Sequence, residues 1–348
     1  MLFSRTRYRE TLSIRSLSAE YSALMPTLYF HAGLAKTGST FVQKEVFPLI
    51  KSVHYLHKPT NDIIKGKYPW DGVINRFFKC SPMIWEDLGE DLFTELFGNR
   101  ERQLGGKSDV LLSDENACNP RDPVRLHAHL KALRDLSQKW GFERMRVFCS
   151  VRQQATRMAS GYAQVSDRRL GASQQGFEDR VFAKIHDHYY KDGIKYDYAL
   201  LRKAFVDTVG KDNFLLLPYE SMKENLSDFL SRWFKFLDRS QEGKEIIARV
   251  TNNPKVKAKN QRSLSRHVWK IRDRTKRGAT LFRLRPGRVF SKLGLPTTVA
   301  IRWPDLKREK EIRLTPDIEN QIMAVYRDSN MRLAKAIGED LGRYNYYY

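Results

Sequence analysis

The sequence predicts an α/β protein of three layers, with a central, mostly parallel sheet flanked by helices. Three observations predict it. Short apolar runs rich in β-branched and aromatic residues recur along the chain, each ending on polar residues. Helix-like segments follow or separate these runs. The runs are continuously apolar, as strands covered on both faces are. A length of 348 residues suits one large α/β domain with insertions or two smaller ones. Hydrophobic residues at 41% and aromatics at 12% are enough for a packed core and argue against disorder.

Taken in order, residues 1–25 are Arg- and Ser-rich but carry Glu10 and Glu20 and no apolar stretch. They read as a flexible extension, with a mitochondrial-type leader as the weaker alternative, and not as a secretory signal. The first strand is 27-TLYFH-31, followed by a glycine-bearing turn and a helix over 38–50. The run 52-SVHYLH-57 is the next strand. Residues 58–107 break the rhythm with Pro, Gly and Trp, and are expected to form an inserted lid or acceptor-side region. Strands follow at 109-DVLLSDE-115, 145-MRVFCSVR-152 and 213-NFLLLPYE-220. Helices are expected at 122–139, 153–166, 197–209 and 225–238. The segment 318–339 is amphipathic, with Ile318, Ile322, Val325, Met331, Leu333 and Ile337 on its inner face. Residues 26–348 are thus read as one domain carrying the 58–107 insertion and a basic segment at 252–303. Ligands of parallel sheets bind beyond the carboxyl ends of the strands, so His31, Glu115 and Arg152 should gather on one edge.

The formal charge is +22, from 62 Lys+Arg against 40 Asp+Glu. It points to anionic ligands: nucleotide phosphates, nucleic acid, anionic glycans or a membrane surface. Cys80, Cys118 and Cys149 are widely spaced without a C-x-x-C, so neither a disulfide framework nor a zinc site is expected. No apolar run approaches a membrane span. A reducing, cytoplasmic setting follows as the expectation.

The stretch 31-HAGLAKTGST-40 is nearly a nucleotide-binding P-loop, which makes the predicted domain P-loop-type. Gly33 and Gly38 have the required spacing and Thr40 falls at the Ser/Thr position. Ser39 stands where an NTPase needs lysine, and the lysine has moved forward to Lys36. A turn between a strand and a helix N-terminus offers N–H groups and a positive dipole end to an anion. Gly33 and Gly38 permit the tight path, Ser39 and Thr40 add hydroxyls, and Lys36 crowns the loop. A second motif lies in 147-VFCSVRQQATRMASGYAQ-164. Arg152 ends a strand and Ser160 lies eight residues on, so an arginine fork and a hydroxyl can address one anion. Arg157 is a further candidate donor.

In that order, the two motifs resemble the sulfotransferases that use 3′-phosphoadenosine 5′-phosphosulfate (PAPS). His31-Ala-Gly33-Leu-Ala-Lys36-Thr37-Gly38-Ser39-Thr40 is similar to their 5′-phosphosulfate loop, with the early lysine. Arg152 through Ser160-Gly161-Tyr162 is similar to their 3′-phosphate motif. The stretches 215–237 and 326–341 resemble bacterial members of the family. The resemblance implies PAPS as co-substrate, without a metal requirement. Lys36 would then lie at the bridging oxygen, Gly33, Lys36, Thr37, Gly38, Ser39 and Thr40 around the 5′-phosphate, and Arg152 and Ser160 on the 3′-phosphate. It also implies a hydroxyl acceptor, a carbohydrate or glycolipid.

An acceptor hydroxyl needs a base. Glu115 resembles the acidic residue ending a mid-sheet strand in carbohydrate sulfotransferases, with Ser113 as a hydrogen-bonding helper. His31 is the rival base, and His54 and His57 are weaker ones. From Asn252 to Trp303 there are fifteen Lys/Arg and one acid, Asp273. Lys259-Asn260-Gln261-Arg262 lies where the family returns a basic loop to the 3′-phosphate, without its Arg-Lys-Gly. The rest of the segment suits peripheral membrane or anionic glycan contact, or is a solvated basic face. Two other functions compete: a P-loop kinase or NTPase-like phosphotransferase, disfavoured by Ser39, and a non-catalytic nucleic-acid-binding protein, which is not favoured.

Overall fold

The computed structural model describes residues 26–56, 78, 81–97, 109–115, 123–187, 193–253, 267–274, 280–284, 299–302 and 307–347. The 1–25 extension, His57, much of the 58–107 insertion, Cys80, Cys118 and the Lys259–Arg262 stretch lie outside these residues. Five strands form the central sheet: β1 (Thr27–His31), β2 (His54–Leu56), β3 (Val110–Ser113), β4 (Arg144–Val151) and β5 (Phe214–Pro218). Their order is β2-β3-β1-β4-β5, and every neighbouring pair is parallel. The sheet is therefore the one expected. β1 lies in the middle and is buried along its whole length. Its last residue, His31, is in register with Ser113 on one side and Phe148 on the other.

Alternation along β1 divides the helical layers. Leu28 and Phe30 enter one core with Leu112, Leu130, Phe205 and Leu333. Tyr29 enters the other with Phe47, Phe148, Phe229 and Trp233. The helices are α1 (Ser39–Phe41), α2 (Trp85–Phe97), α3 (Pro123–Trp140), α4 (Gln154–Val165), α5 (Gln174–His186), α6 (Tyr198–Val209), α7 (Tyr219–Glu224), α8 (Leu226–Phe236), α9 (Ser240–Thr251) and α10 (Pro316–Ile337). α1 continues as a π turn at Val42–Val46 and a 3-10 turn at Phe47–Leu49, ending where Pro48 cannot extend it. A third core joins α4, α5 and α10 to Ile271 and Ile312. These two come from a pair of antiparallel strands, β6 (Val268–Arg274) and β9 (Lys307–Arg313). β7 (Thr280–Leu284) and β8 (Val299–Arg302) pair separately.

Several expectations need correction. α5, α9 and the four strands of the antiparallel pairs were not expected, and the 58–107 insertion contains α2. The strand at 213–220 stops at Pro218, and Tyr219 and Glu220 open α7 instead. On α10, Ile318, Ile322 and Leu333 are buried as expected, but Met331 is exposed. Thirteen residues at about 100° each place Met331 well around the helix from Ile318. Tyr326 and Asn330 hold the inner face there.

Candidate active site

The 32–38 loop leaves β1 still paired with β4. Ala32 N–H donates to Phe148 O at 3.0 Å, Leu34 N–H to Ser150 O at 3.2 Å, and Ser150 N–H to Gly33 O at 2.7 Å. Gly33 has φ +91°, and a Cβ there would lie 2.8 Å from the Cα of Glu115. Only glycine lets the chain after β3 come this close to the loop. Gly38, with φ +87°, likewise abuts the Met222 side chain, and Lys36 between them takes φ 73°. The Thr37 and Ser39 hydroxyls both donate to Leu34 O, at 2.6 and 2.7 Å, and close the loop on itself. Thr40 is exposed at the start of α1. The loop runs as a turn over residues 35–38 directly into α1, the strand-to-helix position at which backbone N–H groups can be offered to an anion.

Two arginines address the crown of the loop. Arg157 is buried beneath it, donating to Ala35 O, Lys195 O and the Tyr198 hydroxyl at 3.2–3.3 Å, with the Tyr196 ring 4.9 Å from its guanidinium carbon. It anchors loop carbonyls and does not face open space. Arg152 is half-buried and reaches Lys36 O at 3.3 Å and Thr156 Oγ1 at 3.1 Å, over the Tyr219 ring. Ser160 is half-buried on α4, one turn beyond Thr156. Positions 152, 156 and 160 thus make a polar ridge. Thr156 was missed by sequence reading, although its spacing of four from both neighbours was the available signal.

Arg152 and Glu115 are both within electrostatic reach of Lys36. Burial pushes the Lys36 ammonium below the usual lysine range and Arg152 pushes it further, while Glu115 opposes both. His31, the last residue of β1, is buried among the rings of Phe47, Phe148 and Trp233 at 5.2–5.5 Å. Burial lowers its pKa to about 3, so the ring is neutral. Its Nδ1 is 2.8 Å from Ser113 Oγ, which also accepts from Gln43 Nε2 at 3.0 Å. Ser113 Oγ can accept from both neighbours or donate to Nδ1, so the direction of the His31–Ser113 bond follows the imidazole tautomer. The structure thus joins Ser113 to His31 and Gln43, whereas sequence reading had placed it as a helper to Glu115. Of the weaker candidates, His54 is half-buried at the start of β2. Among the described residues, no cluster of His, Cys, Asp and Glu could hold a metal ion, and no helix is long and apolar enough to cross a membrane.

A sulfotransferase from Alicyclobacillus acidocaldarius is 14% identical, with a TM-score of 0.49 over 91% of this chain and 98% of that one. A sulfotransferase from Mycobacterium tuberculosis H37Rv is 10% identical, with a TM-score of 0.35 over 67% and 74%. No curated protein matches the sequence. The family model for the sulfotransferase domain matches residues 27–280, well over half of the chain, from the first strand through β6. The chain belongs to the sulfotransferase domain family, and its chemistry is sulfuryl transfer.

Proposed function

We propose that this sulfotransferase takes its sulfuryl group from PAPS and delivers it to a hydroxyl of a carbohydrate or glycolipid. The observation that carries the reading is the meeting of Lys36, Glu115 and Arg152 at the carboxyl ends of β1, β3 and β4, beside a strand-to-helix turn shaped by Gly33 and Gly38. The loop N–H groups, with Gly33, Thr37, Gly38, Ser39 and Thr40 shaping and lining the turn, hold the 5′-phosphate. Arg152 and Ser160 hold the 3′-phosphate, with Thr156 fixing the Arg152 fork. Glu115 accepts the proton of the attacking hydroxyl as its oxygen bonds to sulfur. Lys36 stabilises the charge left on the bridging oxygen as the old S–O bond breaks, releasing adenosine 3′,5′-bisphosphate. None of these steps is assigned to a metal.

We place these residues in one working domain, 26–348. The 58–107 insertion would lie on the acceptor side, and the 252–303 segment would meet an anionic glycan or membrane surface. Calorimetric titration with adenosine 3′,5′-bisphosphate, 5′-AMP and ATP tests the donor. Clear preference for the bisphosphate is expected, and preference for ATP with Mg²⁺ would overturn the assignment.

A further inference from the structure

The segment Leu341–Tyr347 folds back against the turn that carries Arg152. Leu341 and Tyr346 are fully buried in the same core as β1 and β4. Asn345 takes φ 60°, the left-handed conformation that asparagine tolerates, and this reverses the chain at the critical point. From there two adjacent residues reach one target. The Asn345 carbonyl accepts from Gln153 Nε2 at 3.4 Å. The Tyr346 hydroxyl donates to Glu220 Oε2 at 2.9 Å, while Glu220 Oε1 accepts the Gln153 backbone N–H at 3.1 Å. The Tyr346 carbonyl is itself fixed by Asn330 Nδ2 at 2.7 Å, and Asn330 pairs with Gln154 through both amides.

Gln153 directly follows Arg152. Its Oε1 caps α4 by accepting from Thr156 N–H at 2.9 Å, and Thr156 Oγ1 receives Arg152 Nε. The Gln153 backbone is therefore held from Tyr346 through Glu220, while its side-chain amide is shared between Asn345 O and Glu319 Oε1 of α10, the latter at 2.8 Å, and both holds end at the arginine fork. The loop of residues 32–38 has further anchors of its own, the backbone bonds of Ala32, Gly33 and Leu34 to β4 and the bond from Arg157 to Ala35 O, besides the one that Arg152 makes to Lys36 O. Burial also raises the Glu220 and Tyr346 pKa values, as expected for groups held inside and away from water.

We infer that Tyr346 is a positioning residue for the donor site, acting through Glu220 and Gln153 to aim Arg152 at the 3′-phosphate. The inference rests on the PAPS reading above. It separates two anchors on one nucleotide: loss of the Tyr346 hydroxyl should loosen the 3′ end and leave the 5′ end in place.

The test compares the intact chain with Tyr346→Phe, which keeps the buried ring, and with Glu220→Gln, which keeps an acceptor for Gln153 but changes the partner of Tyr346. Dissociation constants for adenosine 3′,5′-bisphosphate and 5′-AMP are measured by calorimetry, beside the urea midpoint. Tyr346→Phe should weaken bisphosphate binding roughly tenfold, the scale of one lost buried hydrogen bond, and change 5′-AMP binding less than twofold. Glu220→Gln should shift the ratio the same way. Equal weakening of both nucleotides, or an unchanged ratio in a folded variant, would overturn the inference. If Tyr346→Phe fails to fold, the Glu220→Gln ratio decides alone. A wild-type chain that does not distinguish the nucleotides would instead sink the donor reading.

Discussion

Lys36 is held by backbone on one side and by charge on the other: its carbonyl binds Arg152, and its ammonium is half-buried between Arg152 and Glu115. The repulsion of a neighbouring guanidinium is tolerable where an anion will sit between the two. Lys36→Ala should therefore lower the transfer rate about a hundredfold to a thousandfold, the usual loss of one preorganised donor. Turnover within threefold of wild type would remove it from the mechanism. The same assay separates the two candidate bases. Glu115→Gln should lower the rate on the order of 10²–10⁴-fold with donor affinity retained. His31→Asn should stay active, since its ring is closed in by Phe47, Phe148 and Trp233. An inactive His31→Asn that still binds bisphosphate, beside an active Glu115→Gln, would reverse the assignment.

At the scale of elements, the two loop glycines have similar backbone angles but different surroundings. An alanine at either would bear the cost of positive φ, about 1–3 kcal/mol. The new methyl of Gly38→Ala would meet the flexible end of Met222, whereas that of Gly33→Ala would meet the backbone of Glu115. Gly33→Ala should thus displace Glu115 and lose at least about tenfold more rate than Gly38→Ala at comparable stability, because catalysis is steep in sub-ångström position. Equal rate losses would show that Glu115 is not held in place through Gly33. Sequence reading found the five sheet strands because each carries a short apolar stretch ending on polar residues, and it singled out Lys36 as the displaced lysine of the glycine loop and Arg152 as a strand-end arginine eight residues before Ser160. It could not find Tyr219, Tyr198 or Gln43, whose roles come from packing between segments far apart in sequence. α5 and α9 escaped because their large buried apolar residues are few: Phe177 and Val181 in the one, Ile246, Ile247 and Val250 in the other. β6 and β9 read as charged because Lys270 faces Glu311 and Arg272 faces Glu309 across the pair, on the side away from Ile271 and Ile312.

For the whole molecule, the neutral His31 in the core links stability to acidity. Its folded pKa, about 3, lies below the ordinary 6.5, so the unfolded chain binds the proton more readily. The contribution is complete above pH 6.5 and is lost as pH falls toward 3. Between pH 7 and pH 5 the loss should come to about 2 kcal/mol. His31→Asn should therefore show a smaller fall in unfolding free energy over that interval, by about this amount, when urea transitions are compared at the two pH values. Parallel falls in wild type and variant would place the acid sensitivity elsewhere.

The pairing of β6 with β9 closes a neck: Arg274 is opposite Lys307, and at the other end Leu314 N–H bonds to His267 O at 2.9 Å. Everything between Arg274 and Lys307 departs from and returns to one point, and Ile271 and Ile312 root that point in the core. An excursion closed in this way is cheap to alter in length, since doubling a loop costs only about 0.6 kcal/mol in closure entropy. A change in the length of this stretch should therefore leave Lys36 and Arg152 where β1 and β4 put them.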